Sequence, residues 1–220
     1  MQENQSNRQS TYTEPDEDDE LVRDEEQRAL LEAENGLQQF DEVLSLAEAA
    51  IPGQTLDLTS NLLLSLNALA IQNIRRSAGK FRRIPIGISN TVHEPPPWEE
   101  VEEHVQDMCS YVNNHWRSFG DDLVDAVHLA AYVMWRVNWI HPFRDGNGRT
   151  ARAVSYLILS ARLGQLLPGE PTIADQIVEN KIPYYDALDD ADAAWKQKRL
   201  DLSTMEKLIS KLLEKQLSEQ

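Results

Sequence analysis

The chain has 220 residues, with 21 Lys and Arg against 37 Asp and Glu, for a net charge of −16. That length accommodates one ample domain with extensions, and the acidic balance opposes non-specific binding to nucleic acid or to an anionic membrane. A single cysteine, Cys109, excludes an intrachain disulfide framework; no apolar run approaches membrane-spanning length and the polar N-terminus lacks the regions of a signal peptide, so a cytoplasmic location is the default expectation.

Residues 1–20 are polar and end in Glu14-Pro15-Asp16-Glu17-Asp18-Asp19-Glu20, a composition expected to form a disordered acidic tail. In residues 21–58, Leu30, Leu31, Leu37, Phe40, Val43, Leu44 and Leu46 predict an amphipathic helix, interrupted near Gly36 and ending before Pro52. Its apolar side could pair with a second copy of the chain as a homodimer, although the sequence does not fix the oligomeric state. Thr59 or Ser60 is placed to cap a second helix through Leu62, Leu66, Leu69 and Ile74 that closes at Gly79. Residues 83–92 alternate imperfectly between Gly79 and the prolines Pro95, Pro96 and Pro97, and read as a short hairpin or extended loop, the single β element expected.

Pro97 suits the first turn of a helix carrying Val101, Val105, Met108, Val112 and Trp116, among which Cys109 reads as packing. Residues 123–140 form the most apolar helix, with Val124, Val127, Ala131, Met134 and Trp135 at helical spacing. A further helix is expected over 149–163, where Gly164 offers a left-handed cap, and another over 183–195, where Tyr184, Tyr185 and Leu188 close the domain. Ser203-Thr204-Met205-Glu206 has the capping-box pattern before Leu208, Leu212 and Leu213, so 201–220 ends in a helix. The pattern as a whole predicts an all-α fold.

Chemistry concentrates in His141-Pro142-Phe143-Arg144-Asp145-Gly146-Asn147-Gly148-Arg149-Thr150-Ala151-Arg152. Glycines flanking Asn147 suit a backbone that turns through positive φ and lets successive N–H groups converge on an anion. Arg149 and Arg152 are three residues apart, so on a helix starting near Gly148 they share a face close to its positive end. Asp145 is a hard oxygen donor suited to Mg2+ bridging to phosphate, and His141 has the intrinsic pKa of a general base. These parts suit phosphoryl or nucleotidyl transfer. His93, His104, His115 and His128 lack zinc-site spacing and read as surface or packing residues.

This run resembles the signature of the Fic family, H-x-F-x-[DE]-G-N-G-R-x-x-R, at every fixed position. The likeness extends to residues 78–97, similar to the family's target-binding flap, and to residues 128–140, similar to its central helix, so it covers about 60–200. The resemblance implies an all-α Fic-type domain with a short β-hairpin flap, preceded by an N-terminal helix and followed by a C-terminal one. It implies a protein adenylyltransferase that moves AMP from the co-substrate ATP to a Ser, Thr or Tyr hydroxyl of a target protein. On this likeness His141 is the base, Asp145 holds Mg2+, and Gly146, Asn147, Gly148, Arg149 and Arg152 bind the nucleotide. Phe143 anchors the loop, and Ile84, Pro85, Ile86, Gly87 and Ile88 form the flap, to which a target segment adds as a strand.

Many family members carry an inhibitory helix of pattern [ST]-x-x-x-E-[GN]. Glu34-Asn35 matches its end, while Leu30 departs from its Ser or Thr; the implied contact is a Glu34–Arg152 pair. Other activities on the same scaffold stay open: transfer of UMP, phosphocholine or phosphate, the reverse removal of AMP, or an inactive interaction protein. Neither nucleic acid nor membrane is expected as a partner.

Overall fold

Eight helices carry the fold in the computed structural model, which describes residues 8, 10–12, 19–53, 55–118 and 123–218. The first, α1 (Glu25–Ala50), starts at Asp24, whose Oδ1 accepts from the Gln27 amide at 2.8 Å, with Glu25 and Glu26 facing the positive end of the helix dipole. It runs unbroken through Gly36, where a side chain would meet open space. The buried positions on α1 are Asn35, Gln39, Val43, Ala47 and Ala50, whereas Leu30 and Leu37 are each 69% exposed. Helix phase is therefore set by two amides rather than by the leucines: Asn35 Nδ2 donates to the Gln72 carbonyl and Gln39 Nε2 to that of Leu66.

Helix α2 (Ser60–Ile71) is capped by Thr59, which accepts from the Leu62 amide. It stops short of Gly79, because Gln72 turns extended at ψ 145° and Asn73 follows in the left-handed region at φ 60°. Gly79, at φ 68°, closes the following turn and donates its amide to Asn67 Oδ1 at 3.1 Å.

The expected hairpin does not form. Its one strand, β2 (Ile86–Ile88), pairs antiparallel with β1 (Ser10–Tyr12), in the register Ser10↔Ile88, Thr11↔Gly87 and Tyr12↔Ile86. A segment placed by sequence in the acidic tail thus supplies the partner strand. The remainder of that expected tail, residues 1–7, 9 and 13–18, lies outside the described residues.

Helices α3 (Val101–Ser118), α4 (Leu123–Ile140) and α5 (Asn147–Leu163) form the centre, with α4 packed most extensively on α5. Trp135, Met134, Leu129, Ile140 and Leu157 are almost fully buried there, and Gly164 closes α5 in the left-handed region at φ 67°. Burial pushes the Cys109 thiol up to about 12, in keeping with a packing role.

Helices α6 (Ile173–Glu179), α7 (Ile182–Lys196) and α8 (Ser203–Ser218) complete the core. Helix α6 was not foreseen; Thr172 and Asp175 give it a complete capping box. The box expected at Ser203 is replaced: Asp201 accepts from the Ser203 amide and hydroxyl, and Glu206 turns away to His128 Nδ1 at 2.6 Å. Among the described residues no helix is long and apolar enough to cross a membrane.

Candidate functional site

His141 follows the last residue of α4, and its φ of 49° turns the chain sharply out of the helix. Its ring is buried, and Nδ1 faces the Asn138 carbonyl at 3.3 Å. A carbonyl only accepts, so Nδ1 carries the proton and Nε2 is the basic nitrogen. Loss of solvent, reinforced by Arg82 and His93, pushes the His141 pKa down to about 3. The imidazole is therefore neutral at physiological pH.

Arg82 fixes this bend. Nε donates to the His141 carbonyl at 2.8 Å, Nη2 to those of Pro96 at 2.6 Å and Ile140 at 3.3 Å, and Nη1 to that of Ile84 at 3.2 Å. Its amide adds a bond to the Pro142 carbonyl at 2.8 Å. Burial lowers the Arg82 pKa to about 10, which leaves it cationic. One side chain thus ties the flap segment to the end of α4.

The next turn is held from inside. Phe143 is fully buried against Phe81, with ring centroids 5.7 Å apart. Asn147 Oδ1 accepts from the Phe143 amide and Asn147 Nδ2 donates to its carbonyl, so this side chain closes the loop instead of facing an anion. The positive φ falls on Gly146, at 77°, where a Cβ would lie 2.9 Å from both Asn67 and Ile71. Asn67 Nδ2 donates to the Asp145 carbonyl at 2.9 Å. The α5 N-terminus follows immediately, so its first amides lack intrahelical acceptors and point outward with the positive dipole end.

Three arginines surround Asp145. Arg28 of α1 donates to Oδ2 at 2.6 Å, Arg75 donates to the same oxygen at 3.2 Å, and Arg149 to Oδ1 at 3.2 Å. Burial raises the Asp145 pKa, but the charges of Arg149, Arg28 and Arg75 outweigh it and hold the carboxyl below its ordinary range. Glu32, one turn beyond Arg28, accepts from Arg28 Nε at 3.1 Å and lies 3.7 Å from Arg149 Nη2.

The Glu34–Arg152 pair is not formed. Glu34 is exposed and accepts only a long 3.4 Å bond from Gln38 among the described residues. Buried Asn35 and Gln39 set the rotation of α1, and the i−3 and i−7 positions from Asn35 that reach the site are Glu32 and Arg28.

A cavity of about 730 Å³ opens over these groups, lined by His141, Asp145, Gly146, Asn147, Gly148, Arg149 and Arg152 together with Arg28 and Glu32. This size suits a small-molecule ligand. Arg152 points in beside Tyr184 and Tyr185, and burial lowers its pKa. Of the five flap residues only Ile88 lines the cavity. Among the described residues no group of three or more His, Cys, Asp or Glu is arranged to hold a metal.

Sequence reasoning missed Arg28, Glu32, Arg75, Asn67 and Arg82, which lie 59 or more residues from the motif side chains or carbonyls they hold. It also missed His93, whose Nε2 donates to the Trp139 carbonyl at 2.8 Å and whose Nδ1 lies 3.0 Å from Asp192. A lone histidine near a proline run carries no signal for that pairing.

A model of the Fic/DOC family matches residues 57–159. Protein adenylyltransferase Fic of Nematostella vectensis is 29% identical over 116 residues, 52% of this chain and 24% of that protein. The chain spans about a quarter or less of the length of the curated relatives it matches. A Fic-domain-containing signalling protein from Bacteroides thetaiotaomicron shares the fold with a TM-score of 0.66 at 19% identity, over 84% of this chain and 70% of that one. Fic-1 of C. elegans, residues 134–508, does so with a TM-score of 0.61 at 23% identity, over 84% and 49% of the two chains.

Proposed function

We propose, for a chain whose residues 57–159 match the Fic/DOC family, transfer of AMP from ATP to a Ser, Thr or Tyr hydroxyl of a target protein, with release of pyrophosphate. The observation that carries this reading is the neutral His141 facing the same cavity as the α5 N-terminus and Arg152. A neutral imidazole and an anion site then meet in one chamber.

In this reading Nε2 of His141 takes the proton of the attacking hydroxyl. The Nδ1–H bond to the Asn138 carbonyl holds the ring in the required tautomer. The outward amides of Gly148 and Arg149, with the guanidiniums of Arg149 and Arg152, bind the nucleotide phosphates and stabilise charge that grows on them during transfer. Asn147 contributes by closing the loop. Residues 84–88 form the target-binding edge, which Arg82 keeps in place relative to His141.

The ionised, oxygen-only side chain of Asp145 fits Mg2+, which is held through one or two carboxylates and substrate phosphates. When bound, the ion neutralises phosphate charge. Oδ2 of Asp145 is held by Arg28 and Arg75, so the ion would compete with both for this carboxylate.

The test is His141→Ala. This variant is expected to bind a fluorescent ATP analogue as wild type does and to transfer no AMP to any protein. Retained transfer would contradict the assignment of the base.

A further inference from the structure

The last carbonyls of an α-helix have no partner within it, and in α4 these belong to Val137, Asn138, Trp139 and Ile140. All four are satisfied from outside the helix. His141 serves two of them, its amide donating to Val137 at 2.9 Å and its Nδ1 to Asn138 at 3.3 Å. Arg82 Nη2 donates to Ile140 at 3.3 Å, and His93 Nε2 donates to Trp139 at 2.8 Å. The turn that presents His141 is thus gripped by two side chains of one segment, Arg82 before β2 and His93 after it.

His93 is itself held in place. Its ring is buried, and Nδ1 lies 3.0 Å from Oδ2 of Asp192 on α7, while Asp192 Oδ1 accepts from Trp135 Nε1 at 2.7 Å. A carbonyl only accepts, so Nε2 carries a hydrogen, and one further proton is shared between Nδ1 and Oδ2. The bonds therefore run from Trp135 through Asp192 and His93 to Trp139, leaving α4 and returning to it one turn later. Val92, beside His93, is 85% exposed. At this end of the flap the imidazole, not its apolar neighbour, reaches the core.

We infer that His93 and Asp192 are a positioning pair, in which Asp192 orients the His93 ring and His93 fixes the far end of the flap against the turn that carries His141. The inference rests on the adenylyl-transfer reading above, where the flap presents the attacking hydroxyl to His141. Arg82 and His93 then set the distance between hydroxyl and base from opposite ends of β2. A misplacement of about 1 Å lowers turnover by up to about a hundredfold, and the nucleotide phosphates, held at the start of α5, do not depend on it. Asp192→Asn separates placement from charge. Its amide oxygen still accepts from Trp135, and its NH2 donates to Nδ1 of a neutral ring whose Nε2 still donates to Trp139. Asp192→Ala removes both bonds.

The experiment uses the full chain with Mg2+ and ATP labelled at the α-phosphate, measuring initial rates of label incorporation against ATP concentration. His93→Ala and Asp192→Ala are expected to lower kcat about tenfold or more with KM for ATP changed less than about twofold, and Asp192→Asn to recover most of the rate lost in Asp192→Ala. Amide exchange over residues 84–93 is expected to be about tenfold faster in both Ala variants, with α2 and α5 unchanged. In nitrogen-15 spectra the His93 Nε2–H is expected as a slowly exchanging imidazole signal in wild type and Asp192→Asn, and to be lost in Asp192→Ala. A raised KM at unchanged kcat would assign the pair to nucleotide binding and overturn the inference, and so would an Asp192→Asn variant as slow as Asp192→Ala. Wild-type exchange over residues 84–93 in the Ala variants would overturn the anchor. Absence of label transfer in every form would overturn the adenylyl-transfer reading, with exchange and the imidazole signal still deciding the pair. Should the Ala variants not fold, the wild-type spectrum decides, and a His93 Nε2–H that exchanges too fast to observe overturns it.

Discussion

Arg28 and Asp145, 117 residues apart, are joined at 2.6 Å, and Glu20 and Glu32 hold the same guanidinium at 3.2 and 3.1 Å. Burial works against the charge of Arg28, but Asp145 and Glu32 outweigh it and raise its pKa. The carboxylate best suited to Mg2+ is thus already satisfied by a cation from α1. Arg28→Ala is expected to bind Mg2+-ATP about tenfold more tightly, the size of coupling typical between a displaced ion pair and a ligand. Titration calorimetry with Mg2+-ATP checks this, and unchanged or weaker affinity would show that Arg28 does not compete for Asp145.

Glu32, not Glu34, is the acid of α1 that approaches Arg149, the arginine proposed above to bind phosphate. A carboxylate near Arg149 occupies charge that a phosphate would use. Glu32→Gln is expected to raise nucleotide affinity several-fold, while Glu34→Gln leaves it unchanged. Fluorescent-nucleotide titration of the two variants separates them, and an effect confined to the Glu34 variant would restore the pairing expected from sequence.

His141 predicts a pH dependence of stability. Its folded pKa lies far below the 6.5 of the free side chain, so its contribution is complete above about 6.5. As pH falls from there towards 3 the unfolded chain takes up a proton that the folded one refuses, and stability is lost. The loss attributable to this residue between pH 7 and pH 5 is about 2 kcal/mol. Burial also lowers the His104 pKa, which adds a loss of the same sign, so the quantity to measure is the difference between wild type and His141→Asn. Urea unfolding should give a shallower pH profile for the variant; parallel profiles would contradict the buried neutral state.

Replacing Arg82 by Met would leave buried carbonyls of His141, Ile140 and Pro96 without their donor. A cost of about 3 kcal/mol is expected. Arg82→Lys keeps the charge but not the planar fork, so thermal unfolding should place it between wild type and the Met variant. Equal stability of Lys and wild type would show that charge, rather than the fork, holds the bend.

The parts of the site that sequence disclosed are those contiguous in the chain. From His141 to Arg152 the candidate groups lie within one turn and one helix start, and in the structure His141, Asp145, Arg149 and Arg152 line one cavity. Apolar periodicity likewise located α4 to the residue, because burial on most sides leaves little ambiguity. What failed was long-range and polar. The phase of α1 is decided by Asn35 and Gln39, whose amides bond to α2, and hydrophobic spacing pointed instead to leucines that remain in solvent. That rotation exchanges Glu34 for Glu32 and brings in Arg28. The flap was read as a hairpin because adjacent strands usually pair, yet its partner comes from 76 positions upstream, where composition suggested only a tail.

The most direct measurement is intact mass of the purified chain after incubation with Mg2+ and ATP labelled separately at the α- and γ-phosphates, for wild type, Arg28→Ala and His141→Ala. The account predicts an AMP increment that carries the α-label alone, larger in Arg28→Ala and absent in His141→Ala. An increment carrying the γ-label, or an α-label increment that survives in His141→Ala, would contradict it.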